Sequence, residues 1–133
     1  MTMIVVDANI LIAAMYTHDV HHVVASRFLK NAGVADRLCI PILNLAEALV
    51  SQVRLGQGNQ AETAIKAAGI ELLDGNLVDP LGLACLRAST GLKLPDCVVL
   101  ASAQKLGAAL ATTDKQLARV AATVGVTSAL PAL

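Results

Sequence analysis

Four acids in this 133-residue chain are notable for their neighbours. Asp7 interrupts the apolar stretch "MIVVDANILIAA" at 3–14. Glu47 lies in "LNLAEALV" between Leu45, Ala46, Ala48 and Leu49. Asp96 follows Pro95 in "LPDCVVLASA", and Asp114 closes "ALATTD". Taken singly, Asp7, Asp96 and Asp114 have the type and position of helix caps or first-turn acids, which the helix N-terminus favours by about 0.3–1 kcal/mol each. Glu47 resists that reading. A mid-helix Glu among apolar neighbours needs solvent or an opposite charge, and positions 43, 44, 50 and 51 offer no basic residue. Together the four pose a different problem, because carboxylates gathered in a small space repel one another unless a cation joins them. All-oxygen ligation without supporting His or Cys suits Mg²⁺ or Mn²⁺ over Zn²⁺. Such a cluster, with positions left for water and phosphate oxygens, can activate water for attack on a phosphodiester.

The elements that must position these acids are legible from hydrophobic periodicity. Apolar runs of strand length at 3–6, 38–41, 70–74 and 108–112 alternate with helical patterns at 8–17, 20–33, 43–56, 59–69, 79–91, 95–107 and 114–125. Gly33 reads as the close of the second helix, and "VTSAL" (126–130) as a fifth strand. Strands this apolar, separated by helices, indicate an α/β fold: a parallel sheet covered on both faces by right-handed crossovers, a three-layer sandwich. Sites in such sheets form outside the carboxyl ends of the strands. Asp7 ends the first strand, Asp114 follows the fourth, Asp96 opens a helix after Pro95, and Glu47 rides the helix after the second strand.

Length fits one domain, 1–133, with a core that needs neither disulfides nor a structural metal. The chain is 56% hydrophobic, with mean hydropathy +0.65 and only Tyr16 and Phe28 as aromatics, so Ala, Val, Leu and Ile must build the core. Apolar surface in excess of what a small domain hides points to a subunit or partner interface. The longest charge-free stretch, 120–133, is too short and too interrupted by Thr, Gly and Pro to span a bilayer. The start lacks the features of a signal peptide, so the cytosol is the expected compartment and no membrane contact is expected. Cys39, Cys85 and Cys97 have no metal-site spacing and read as small buried hydrophobes.

In combination, "VVDANILIA", the "AE" at 46–47, "LPDCVVLASA" and "LATTD" resemble the PIN-domain nucleases, specifically the VapC-type toxins of bacterial and archaeal toxin–antitoxin pairs. The resemblance covers roughly residues 1–127. It implies a five-stranded parallel sheet in the order 3-2-1-4-5, and it makes Asp7, Glu47, Asp96 and Asp114 the metal-binding, catalytic acids. Asn9 matches a polar position that helps hold the site, and Thr112 a hydroxyl position of the last motif. It further implies Mg²⁺- or Mn²⁺-dependent cleavage of RNA, a homodimer, and inhibition by a cognate antitoxin. One departure is Leu117, where some members carry a further acid.

Ten basic residues balance ten acidic ones. Setting the four candidate acids aside leaves six acids and a surplus of four positive charges to attract phosphate once a cation neutralises the cluster. Lys93 and Lys115, close in sequence to Asp96 and Asp114, and then Arg54, are the candidate phosphate contacts, against the plain reading of solvated surface charges. His18, His21 and His22 in "HDVHH" read as a polar helix start, since no Cys or Glu supports them at zinc-site spacing. "LGQGN" reads as an interhelical turn, and no GxSxG, Walker or GxGxxG pattern occurs. A phospho-acceptor role for Asp7 would want a second acid two residues on, where Asn9 stands. A PIN-like scaffold that binds RNA or protein without cutting is the remaining alternative.

Overall fold

The computed structural model describes residues 2–130. Its sheet is built from β1 (Met3–Val6), β2 (Arg37–Ile40), β3 (Ile70–Leu72) and β4 (Ala109–Ala111) in the order β3-β2-β1-β4, every pairing parallel. The period-two alternation of strand side chains divides the core in two. Ile4, Val6, Leu38, Ile40 and Ala111 face one layer, formed by α1 (Ala8–Met15), α2 (His22–Ala35), α3 (Ile42–Arg54) and α4 (Gly58–Ala67). Val5, Cys39 and Leu110 face the other, where α6 (Leu94–Leu106) and α7 (Lys115–Thr123) contribute Val99, Leu100, Ala103, Leu117 and Ala121. Strands apolar on both sides are thus covered on both sides, as the sequence requires.

Three expectations are corrected. Among the described residues the sheet has four strands, not five: "VTSAL" forms a single parallel bridge, Ser128 with Leu110, through Thr127 O at 2.9 Å and Ala129 N at 2.8 Å. Gly33 does not end α2. It lacks the positive φ of a helix-terminating glycine, and the helix runs on to Ala35 before Asp36 turns extended. Cys39 and Cys97 are buried, but Cys85 is exposed on α5 (Pro80–Thr90), a helix with no fully buried residue.

The local signals otherwise match. His22 starts α2 with its Nδ1 against Ala13 O at 2.8 Å, and Asp19 accepts the His21 amide at 2.8 Å to form the preceding turn, so "HDVHH" is a polar helix start. Residues 55–57 form the turn between α3 and α4. Gly91, in the left-handed region at φ 74, ends α5 and starts the short connection that leads into α6. Pro95 stands in the first turn of α6, where its missing N–H has no intrahelical partner to lose.

Candidate active site

The carboxyl ends of β1 and β4 build one hydrogen-bonded unit. Pairing continues one residue past β1, where the Asp7 amide donates to Ala111 O at 2.9 Å. Asp7 is 5% exposed and its carboxylate is doubly held, Oδ1 by the Ala8 amide and Oδ2 by the Thr112 hydroxyl, both at 2.8 Å. Thr112 in turn accepts from Asn9 Nδ2 and from the Asp114 amide, each at 3.1 Å, while Asn9 Oδ1 accepts the Thr113 amide at 3.2 Å. Asp7, Asn9, Thr112 and Asp114 are therefore locked together across more than a hundred residues of sequence.

The cap reading fits these acids unequally. Asp114 is a regular N-cap, its Oδ1 accepting the amides of Gln116 and Leu117 at 2.9 and 3.1 Å. Asp7 takes only the adjacent amide, not the second or third of the helix, so capping does not account for burying a carboxyl there. Asp96 lies in the first turn of α6, but Lys93 is the cap residue and no side chain caps that helix. Glu47 is exposed on α3, and Leu43 and Val50 share its side of the helix.

Electrostatics link the acids. Burial raises the Asp7 carboxyl from its ordinary 3.8 to about 6; the Thr112 hydroxyl bond opposes the rise, the charge of Asp96 adds to it, the Ala8 amide opposes it, and Glu47 adds to it. Glu47 is raised by desolvation and then by Asp96. Asp96 is raised by desolvation and then by Asp114, with Lys93 pulling the other way. Asp96 thus feels or exerts charge on all three of the others, and each named carboxyl interaction is repulsive.

Among the described residues no three His, Cys, Asp or Glu side chains are drawn into a closed metal cage. Mg²⁺ does not require one, since it keeps several waters and uses few carboxylates. The donor set fits such a hard cation: oxygen only, negatively charged, and mutually repelling in its absence.

Lys93, Lys115 and Arg54 are all exposed, at the start of α6, the start of α7 and the last turn of α3. None of them is in an ion pair among the described residues, where Arg37–Glu71 and Lys66–Glu62 are the pairs found. Leu117 is 0% exposed and packs in the core beneath α7, so its side chain faces away from solvent.

One residue of the region is missed by the sequence reading. Asn44, one turn before Glu47, is 0% exposed and donates through Nδ2 to Pro95 O at 3.1 Å. The signal was an amide in "ILNLAEAL", where Glu47 is the one other polar residue.

A family model described as PIN domain matches residues 4–123. No curated protein matches the chain in sequence. Among solved structures, VapC20 of Mycobacterium tuberculosis, described as a sarcin-ricin loop cleaving toxin, is similar at 16% identity with TM-score 0.71, over 96% of this chain and 99% of that one. A toxin–antitoxin complex from Klebsiella pneumoniae is similar at 23% identity and TM-score 0.68, over 86% and 89%. VapBC-1 of nontypeable Haemophilus influenzae is similar at 18% and 0.68, over 96% of each chain. At these identities the likeness is one of fold.

Proposed function

Because the chain belongs to the PIN-domain family, matched over residues 4–123, we propose that it is a metal-dependent endoribonuclease and the toxin of a toxin–antitoxin pair, of the VapC type. The observation that carries this reading is the buried Asp7 carboxylate, held by Thr112 at the carboxyl edge of the sheet amid the charges of Asp96 and Glu47. Asp7, Glu47, Asp96 and Asp114 would hold Mg²⁺ or Mn²⁺, which when bound polarises water and phosphate oxygens.

The chain's own residues prepare that site. Thr112 and the Ala8 amide orient Asp7, Asn9 fixes Thr112, and the Asp114 cap bond leaves its Oδ2 without a protein hydrogen bond among the described residues. Lys93, Lys115 and Arg54 would attract the phosphate backbone, a contribution that weakens with salt.

Two further parts of the reading rest on the surface and the neighbours. The Klebsiella structure is a toxin–antitoxin complex, and an antitoxin partner is proposed here by analogy. Leu43, Ala46, Val50 and Val53 form an exposed, nearly apolar face of α3, which supports a protein interface, whether with the antitoxin or in a homodimer. Among the described residues no helix is long and apolar enough to cross a membrane, and the cytoplasm, where RNA is available, is the proposed place of action.

An inactive PIN-like module is the alternative, and the absence of a closed carboxylate cage is the observation in its favour. The two readings separate on purified protein. Single-stranded RNA incubated with the chain and Mn²⁺ is expected to be cut, and EDTA is expected to stop it. Intact RNA at stoichiometric enzyme across Mg²⁺ and Mn²⁺ would favour the binding module.

A further inference from the structure

We propose that Asn44 is a positioning residue that sets Glu47 against Asp96 by tying α3 to the first turn of α6. The inference rests on the metal-dependent reading above. The two helices pack in different layers: α3 puts Leu45 and Ala48 on one face of the sheet, and α6 puts Val99, Leu100 and Ala103 on the other. At the edge of the sheet the two helices approach each other, where Ile42 and Ala46 of α3 and Val98 and Ser102 of α6 line one groove. The Asn44 Nδ2 bond to Pro95 O, at 3.1 Å, crosses between them, and among the described residues it is the one side-chain hydrogen bond that does so. Asn44 stands one turn before Glu47 on the same side of α3, and Pro95 immediately precedes Asp96. A single part-buried bond thus joins the two turns that carry these acids.

The orientation of the amide follows from its partner. Pro95 O only accepts, so the nitrogen must face it, and the carbonyl oxygen must face the other way. There Oδ1 is buried without a hydrogen-bond partner. An orphaned carbonyl in a largely aliphatic interior is a loss of stability that packing does not explain, since a leucine of the same branching would remove it. What it supplies is a fixed separation between two carboxylates that repel each other before a cation arrives.

Asn44→Leu removes the donor and the orphaned oxygen together and keeps the branched shape and heavy-atom count, with bulkier methyl groups in place of the amide. Two quantities are measured on the full chain: the melting temperature in EDTA, and the Mn²⁺ affinity by calorimetry. The variant is expected to melt no lower than the native protein yet bind Mn²⁺ about tenfold or more weakly, the range seen when residues that orient ligands are removed. A purely structural role gives the opposite pattern, a lower melting temperature with Mn²⁺ affinity within twofold of native, and overturns the proposal. Where the leucine variant does not fold, Asn44→Ala carries the same comparison, and affinity within twofold of native again overturns it. Absence of Mn²⁺ binding by the native chain overturns the metal reading itself, whereas equal binding by native and variant overturns only the tether.

Discussion

Asp7→Asn is expected to lose RNA cleavage and growth arrest by about 10³-fold or more, equivalent to about 4 kcal/mol of transition-state stabilisation, while the metal-free protein becomes more stable. The two effects have one cause. The native carboxylate is ionised at neutral pH in a buried position beside other acids, and burial has lifted its pKa to about 6. Asparagine keeps the shape and an oxygen for the Thr112 hydroxyl, but carries no charge to repel Asp96 and Glu47 and none to bind a cation. The donor–donor conflict of its NH₂ with the Ala8 amide offsets part of the gain. A helix cap would behave differently, since asparagine caps about as well as aspartate and both activity and stability would stay near native. Asp96→Asn is expected to share the loss of cleavage. Cleavage and growth arrest at native levels in both variants would contradict the assignment of these acids.

The second large effect is a pH profile whose sign reverses with metal. Asp7 has a folded pKa of about 6 against an ordinary 3.8, so the folded state binds its proton more tightly than the unfolded chain does. Its contribution is fully present below the unfolded value and is lost as pH rises through about 6. Glu47 and Asp96 are raised and act in the same direction. In EDTA the chain is therefore expected to gain stability on going from pH 7.5 toward 5. The whole Asp7 contribution is on the order of 3 kcal/mol, and about half of it, equivalent to about 5 °C in Tm for a chain of this size, is gained between pH 7.5 and 5. With saturating Mn²⁺ the trend inverts, because the ion binds ionised carboxylates, is displaced by protons, and stabilises the fold by about 2.7 kcal/mol at a hundredfold excess over Kd. Thermal melts at both pH values, with and without Mn²⁺, check the crossing. Asp7→Asn should flatten the metal-free profile, and a native profile that falls with acid in EDTA would refute the account of Asp7.

Much of this was legible in the sequence because it depends on local pattern. Apolar runs such as Ile4–Val6 and Leu38–Ile40, of strand length and set between helical patterns, read as strands buried on both faces, and a parallel sheet of such strands exposes its carboxyl edge, where Asp7 and Asp114 follow their strands. What escaped depends on geometry that pattern does not carry. "VTSAL" has strand-like residues but offers one bridge to Leu110, since a ladder needs register as well as propensity. Gly33 can end a helix only with positive φ, which nothing in the local sequence dictates. The inward direction of Leu117 follows from how α7 lies on the sheet, and the role of Asn44 from the approach of α6 across the layers. Both are facts of tertiary packing.

The Thr112 hydroxyl shows how the two levels meet. Its match to a hydroxyl position came from the resemblance, but only the fold makes it the centre of three hydrogen bonds that reach Asp7, Asn9 and Asp114. A buried carboxylate held by that many bonds has a fixed orientation, which is the preorganisation that the proposed metal site would require.

The most direct test of the central claim is calorimetric titration of the native chain with Mn²⁺ at pH 7.5, beside Asp7→Asn and Asp96→Asn. The expected result is saturable binding by the native protein that both substitutions abolish, although all three proteins are folded. No detectable binding by the native chain, or binding that survives both substitutions, would contradict a cation held by these carboxylates.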